Sequence, residues 1–489
     1  MSRPWSAVRT PSFWLLLAVT GSTGALLLLA GVFVGLTAPR SALVSLPLVA
    51  AYAIGWLVLI RWLDRLGHRP WWLVALALLW GATVSVGVGG GAGYTIDNLL
   101  GRLFTPDFAS VWGAAVVAPP AEELAKVAGV VFLFLAARPH LRTVFAGAVY
   151  GAVIGVGFAA VEDLGYAVIA ADETLPDHVG AALRMLALRF ALPGAVGHPL
   201  FTAVAGAGVA YFVVRTDRTR TRRVAVLVGA SALAWLTHAA VNSPVAVTVT
   251  EALDGLPGFS GFTGYLLVIG IPAAASIHWL VRFRRADAAA LADRLGAGGA
   301  ALATGAEAAT FATLGGRGRA ARAVGRAHGR STAGVARRVQ RSQLRLVDLP
   351  PELPVPPSPY GVGAPVGWPA PGWTIRRLTR RQRVAAELAE ARVAFWELTG
   401  SPEVPAVVAG PAPVPVLLTR SAIGLAVLGL VLWPAALAAG LLVAWLLTVV
   451  ARGRGPVARE LWLATLAVAL SAYPWLVDLL VRWIYPDLI

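Results

Sequence analysis

Long apolar runs alternate with short polar ones along the chain, and the runs have the length of membrane spans. Crossing the roughly 30 Å of hydrocarbon in a bilayer takes about 20 apolar residues in a helix. Such stretches lie at 13–36, 41–60, 71–93, 108–136, 143–171, 190–214, 224–243 and 262–281, with less regular ones at 421–450 and 460–484. The pattern predicts an all-α fold, a polytopic membrane helix bundle of about eight core transmembrane helices plus one or two C-terminal hydrophobic segments. No small-x-small cleavage site follows the first run, so it reads as a retained signal anchor.

Composition agrees with this picture. Only 13% of the 489 residues are charged and the mean hydropathy is +0.71, whereas soluble domains carry roughly a quarter charged residues. The absence of Cys excludes disulfides, thiolate metal sites and a cysteine nucleophile. The net charge of +16 is concentrated locally: between Arg282 and Arg420, 20 Arg stand against 9 acidic residues. That describes a basic segment of a membrane protein and not a nucleic-acid-binding fold.

Arg placement orients the bundle by the positive-inside rule. Arg3 and Arg9 precede the first span, Arg61, Arg65 and Arg69 follow the second, and Arg138 and Arg142 follow the fourth. A cluster from Arg215 to Arg223 follows the sixth, and Arg282, Arg284 and Arg285 follow the eighth. The alternate loops are acidic or nearly neutral, with Asp172, Glu173 and Asp177 in one and Glu251 and Asp254 in another. The expected arrangement is a multi-pass plasma-membrane protein with a cytoplasmic N-terminus. Three regions follow: an eight-helix membrane domain over 1–285 with its motif core at 108–243, a cytoplasmic insert over 286–420, and C-terminal membrane segments over 421–489.

The insert is rich in Ala, Gly and Arg up to 345 and Pro-rich over 349–373, a composition that predicts a largely disordered segment. Residues 374–400 pattern as an amphipathic basic helix, suited to docking a partner or anionic lipid.

Ionisable groups at the bilayer centre cost roughly 2.5–3.5 kcal/mol each on insertion scales, so their positions carry information. The fourth span contains Pro119, Pro120, Glu122, Glu123 and Lys126, the only lysine in the chain. The prolines should break the helix and restart it at Pro120, placing both glutamates in a first turn where free N–H groups favour carboxylates. Glu122 and Lys126 are four apart and share a face. The fifth span carries Phe158, Glu162, Asp163 and Tyr166; the sixth His198, Phe201, Thr202 and Gly206; the seventh His238 and Asn242. With the N-terminus inside, these groups all fall in the outer half of the bilayer. Four elements on consecutive helices at one depth exceed what independent packing contacts require. His68, His140, His178, His278 and His328 lack such company and are assigned no role.

A carboxylate in apolar surroundings can act as general base on water, and a His and Asn pair can hydrogen-bond a tetrahedral oxyanion. Alternatively, two His and a Glu can hold zinc with an open position, the weaker reading because H-E-x-x-H spacing is absent. Proton-coupled transport through intramembrane carboxylates is the alternative, disfavoured because the Pro-Pro-x-Glu-Glu element has no repeat elsewhere in the chain.

The four motifs in order, Glu122-Glu123-x-x-Lys126, Phe158-x-x-x-Glu162-Asp163-x-x-Tyr166, His198-x-x-Phe201-Thr202-x-x-x-Gly206 and His238-x-x-x-Asn242, resemble those of the PrsW family of intramembrane proteases, within the CAAX-processing protease superfamily. The resemblance covers roughly 40–285. It implies cleavage of single-pass, membrane-anchored substrates of the anti-sigma-factor kind, with Glu122 activating water and Glu123 supporting it. His198, His238 and Asn242 would bind the oxyanion; in a zinc enzyme, His198 and His238 would instead be ligands with Glu162 as the third. Glu162 would otherwise orient a His.

Overall fold

The computed structural model describes residues 11–405 and Val443, apart from 65–66, 68, 139–140, 174–176, 192–196, 254–262, 300–301, 313–315, 348–379 and 402. Among the described residues the fold is helical throughout. The first half comprises α1 (Pro11–Thr37), α2 (Pro39–Leu63), α3 (Trp71–Trp80), α4 (Val86–Leu103), α5 (Pro106–Val116), α6 (Ala118–Ala137) and α7 (Val144–Glu173). Then come α8 (His178–Ala191), α9 (His198–Val214), α10 (Arg220–Val241), α11 (Pro244–Leu253) and α12 (Thr263–Ala297). Four more follow in the insert: α13 (Gly305–Ala312), α14 (Gly316–His328), α15 (Arg330–Val347) and α16 (Arg380–Thr399).

Helices dominate because a backbone surrounded by hydrocarbon must satisfy its own hydrogen bonds. Five described segments are long and apolar enough to cross a membrane: α2, the continuous run Trp71–Leu103, α7, α10 and the Leu267–Ala297 part of α12. The other three expected core spans fall on α1, on the α5–α6 pair and on α9. The two C-terminal hydrophobic segments lie outside the described residues, Val443 aside.

The third span runs from α3 into α4 through a single π-helical turn at Gly81–Ser85. Gly81 packs so closely on α7 that a side chain there would strike the Ile154 carbonyl. At the centre of the bundle, α7 is buried on nearly all sides. Its Gly147, Gly151 and Gly155 form an i,i+4,i+8 stripe against Gly206, Thr202 and His198 of α9. Small residues at this spacing let membrane helices approach until backbones touch. The consequence is positional: α9 is pinned along its length, including the residue that carries the first imidazole.

The break in the fourth span differs from expectation. α5 is capped by Thr105, whose Oγ1 accepts from Phe108 N at 3.0 Å, and it ends at Val116. α6 restarts at Ala118, ahead of both prolines, which fit a first turn where no N–H partner is needed. Glu122 and Glu123 therefore sit in the second turn, beyond the free N–H groups, and their charges are met by side chains instead.

The insert also differs. Residues expected to be largely disordered form α13–α16, and the boundary drawn at 285 falls inside α12. The reason is a buried polar centre that the composition hides. Glu307 is 1% exposed and accepts from both terminal nitrogens of Arg392, at 3.1 and 2.7 Å, from Gln343 Nε2 at 2.8 Å and from Val404 N at 3.2 Å. Thr304 and Glu307 reciprocally cap α13. Around them Leu302, Phe311, Val324, Val339, Leu388 and Phe395 pack into one apolar cluster continuous with the membrane bundle. The helix expected at 374–400 is α16, with its apolar face turned into this cluster. The Pro-rich 349–373 stretch lies outside the described residues.

Candidate active site

Helix α6 brings Glu122, Glu123 and Lys126 to the bundle interior, all buried. Two neighbours hold α6 in place. Trp80 Nε1 donates to the Ala125 carbonyl at 2.9 Å, and Gly89 of α4 lies so close that a Cβ there would sit 3.0 Å from Glu122 Cα.

Lys126 Nζ donates to Glu122 Oε2 at 3.1 Å and to Glu123 Oε1 at 2.9 Å. It also lies 2.9 Å from His198 Nδ1 and 3.6 Å from the centroid of the Phe158 ring, a cation–π contact. An ammonium only donates, so Nδ1 of His198 is the acceptor and the ring proton belongs on Nε2. That nitrogen faces Glu162 Oε2 at 2.8 Å. Both ring nitrogens of His198 are therefore engaged.

Glu123 is held from three helices. Besides Lys126, it accepts from Thr202 Oγ1 of α9 at 3.2 Å and from His238 Nδ1 of α10 at 3.2 Å. The other ring nitrogen of His238, Nε2, faces Glu122 Oε2 3.8 Å away. The two imidazoles meet edge to face with centroids 4.8 Å apart, and Phe201 stacks on His238.

A cavity of about 260 Å³ opens beside this network. Glu122, His198 and His238 line it, and Glu123 and Lys126 do not. Adjacent helical residues point about 100° apart, so Glu122 faces the space while Glu123 anchors the structure behind it. Asn242 also lines the cavity, but its Nδ2 donates to the Ala114 carbonyl at 3.0 Å and ties the end of α10 to α5.

The structure thus joins Glu122, Glu123, Lys126, Glu162, His198 and His238 in one bonded network, with Asn242 at its rim. For a metal, the converging set differs from the expected one. Glu122, His198 and His238 offer ligand atoms all within 4.8 Å of one another, whereas Glu162 is outside this set and bonds His198 Nε2. Two imidazoles and a carboxylate are a zinc-type donor set, and both imidazoles carry the carboxylate partners that orient such ligands. Lys126 already contacts Glu122 and His198 from that side.

Residues 69–277 match the model of the PrsW family intramembrane metalloproteases. The PrsW match covers less than half of the chain, takes in every residue of the network, and supports intramembrane proteolysis in general. Comparison with curated proteins and with solved structures gives no match.

Sequence reasoning missed one member of this network. Arg189 of α8 bonds both Glu162 and Asp163 and lines the cavity. The available signal was an arginine immediately before the apolar run expected at 190–214.

Proposed function

We propose that the protein is an intramembrane endopeptidase in which Glu122 takes the proton from the water that attacks the scissile carbonyl. The observation that carries this reading is that Glu122, and not Glu123, faces the cavity. In the reaction, water oxygen bonds to the carbonyl carbon, its proton passes to Glu122, and the tetrahedral adduct collapses as that proton moves to the leaving amine. Protonated His238 presents Nε2–H to the oxyanion, since its other nitrogen is held by Glu123. Lys126 keeps the two glutamates and His198 in register.

A second reading rests on the Glu122, His198 and His238 set. Zinc held by these three would polarise the carbonyl and supply an acidified water. The ammonium of Lys126, already bridging Glu122 and His198, favours the metal-free form.

The substrates are single-pass membrane proteins of the anti-sigma-factor kind. The protein lies in the plasma membrane with its N-terminus cytoplasmic, so the site opens toward the outer half of the bilayer and α13–α16 lie in the cytoplasm. There the exposed Arg330, Arg337, Arg338 and Arg341 of α15 and Arg322 and Arg326 of α14 form a surface for anionic lipid headgroups. The test compares N-terminal peptides of membrane proteins from cells carrying wild type, Glu122→Gln or neither. Products seen only with wild type support the proposal; three matching samples under several stresses sink it.

A further inference from the structure

Arg189 stands at the end of a chain of contacts that reaches the proposed base. Its Nη2 bonds Glu162 Oε2 and its Nε bonds Asp163 Oδ1. The same Glu162 oxygen accepts from His198 Nε2, the opposite nitrogen of that ring meets Lys126, and Lys126 donates to Glu122. Each link leaves the next group one usable geometry. A guanidinium fork grips two carboxylates at once, which a point charge cannot do.

Glu162 and Asp163 are neighbours on α7, and Asp163 is only 3% exposed. Two adjacent carboxylates in an apolar bundle repel each other, and Arg189 is the cation among the described residues that bonds both. The Tyr166 ring, 4.3 Å from the guanidinium carbon, closes the remaining side. α8, which delivers Arg189, is itself fixed to the bundle: Tyr52 of α2 stacks on Phe190 with centroids 4.6 Å apart, and His178 Nδ1 lies 2.7 Å from the Ala171 carbonyl.

We infer that Arg189 is a positioning residue of the protease site, orienting Glu162 so that it holds His198 and, through Lys126, Glu122. The inference rests on the protease reading above. It assigns α8 a function: without its guanidinium, Glu162 rotates away from His198, the imidazole loses its fixed tautomer, and Lys126 is shared differently between the two glutamates. The effect falls on kcat and not on KM, because Arg189 acts through Glu162 and Asp163, which its Nη2 and Nε bond.

The test uses the full chain in proteoliposomes and an internally quenched transmembrane peptide spanning a bond that wild type cuts. Arg189→Ala is expected to lower kcat by about 10- to 100-fold, the usual cost of losing an orienting partner, with KM within about twofold of wild type. Added guanidinium ion should restore part of the lost kcat in Arg189→Ala and leave Arg184→Ala unaffected. Arg184 is on the same helix but, among the described residues, pairs with exposed Asp177 at 2.9 Å, so that variant should match wild type throughout. Arg189→Lys, which keeps the charge and guards against misfolding, should fall between wild type and Arg189→Ala. Equal kcat in wild type and Arg189→Ala overturns the inference, as does a raised KM at unchanged kcat, which would make Arg189 a substrate contact. If wild type itself cuts no membrane protein, the protease reading has failed first.

Discussion

Nζ of Lys126 lies 2.9 Å from Nδ1 of His198, so the only lysine of the chain is spent on tying an imidazole to a pair of glutamates. This single contact joins α6 to α9, settles the tautomer of His198 and decides which of the ring's nitrogens faces Glu162.

Removing that cation should destabilise the protein strongly. Lys126→Met leaves Glu122 and Glu123 buried without their ammonium, and breaking a buried pair costs about 3–5 kcal/mol. The expected result is a clear fall in thermal midpoint in detergent. Adding Glu123→Gln to Lys126→Met should recover part of it, because one uncompensated charge is then gone.

The two glutamates should separate by substitution. Glu122→Gln is expected to reduce cleavage by about 10²–10⁴-fold, the usual contribution of a general base, with little change in thermal midpoint. Glu123→Gln should act mainly on stability, since its carboxylate accepts from Lys126, Thr202 and His238 and does not line the cavity. Purified variants compared for cleavage and melting would show both effects; equal catalytic losses would remove the distinction.

Close packing of α7 on α9 predicts sensitivity at Gly155. A methyl group there collides with the His198 carbonyl, so Gly155→Ala must shift the residue that receives Lys126 and Glu162. A displacement of about 1 Å near a reacting centre can cost about 10²-fold. Gly165, which has open space around it, serves as the control: Gly165→Ala should cleave like wild type.

Metal dependence has an expected sign. Wild-type cleavage should survive chelation, and Lys126→Ala should retain more zinc after dialysis than wild type, because the substitution frees Glu122 and His198. Metal content measured on both purified proteins decides it, and stoichiometric zinc in active wild type would favour the second reading.

The insert should fold cooperatively around its ion pair. Arg392→Ala strands the buried Glu307 carboxylate, and α13–α16 are expected to become protease-sensitive while the bundle from α2 to α10 stays protected. Limited proteolysis followed by mass mapping reads this directly. Uniform loss of protection would mean that the insert and the bundle fold as one unit.

The amino-acid sequence by itself determined the membrane class, the helical architecture and most of the site. Hydrocarbon makes each intramembrane charge costly, so Glu122, Lys126, Glu162, His198 and His238 are conspicuous in apolar runs, and helical spacing already shows which of them share a face. Periodicity within one helix cannot say how separate helices are rotated against one another. That rotation decided that Glu122 faces the cavity and Glu123 the interior, that Glu122 and not Glu162 converges with the two imidazoles, and that Asn242 is held by Ala114. Arg189 escaped notice because its partners are 26 and 27 residues away on a helix it meets only after folding. The insert was misjudged for the same reason: Glu307 and Arg392, 85 residues apart, look like solvated charges until burial brings them together.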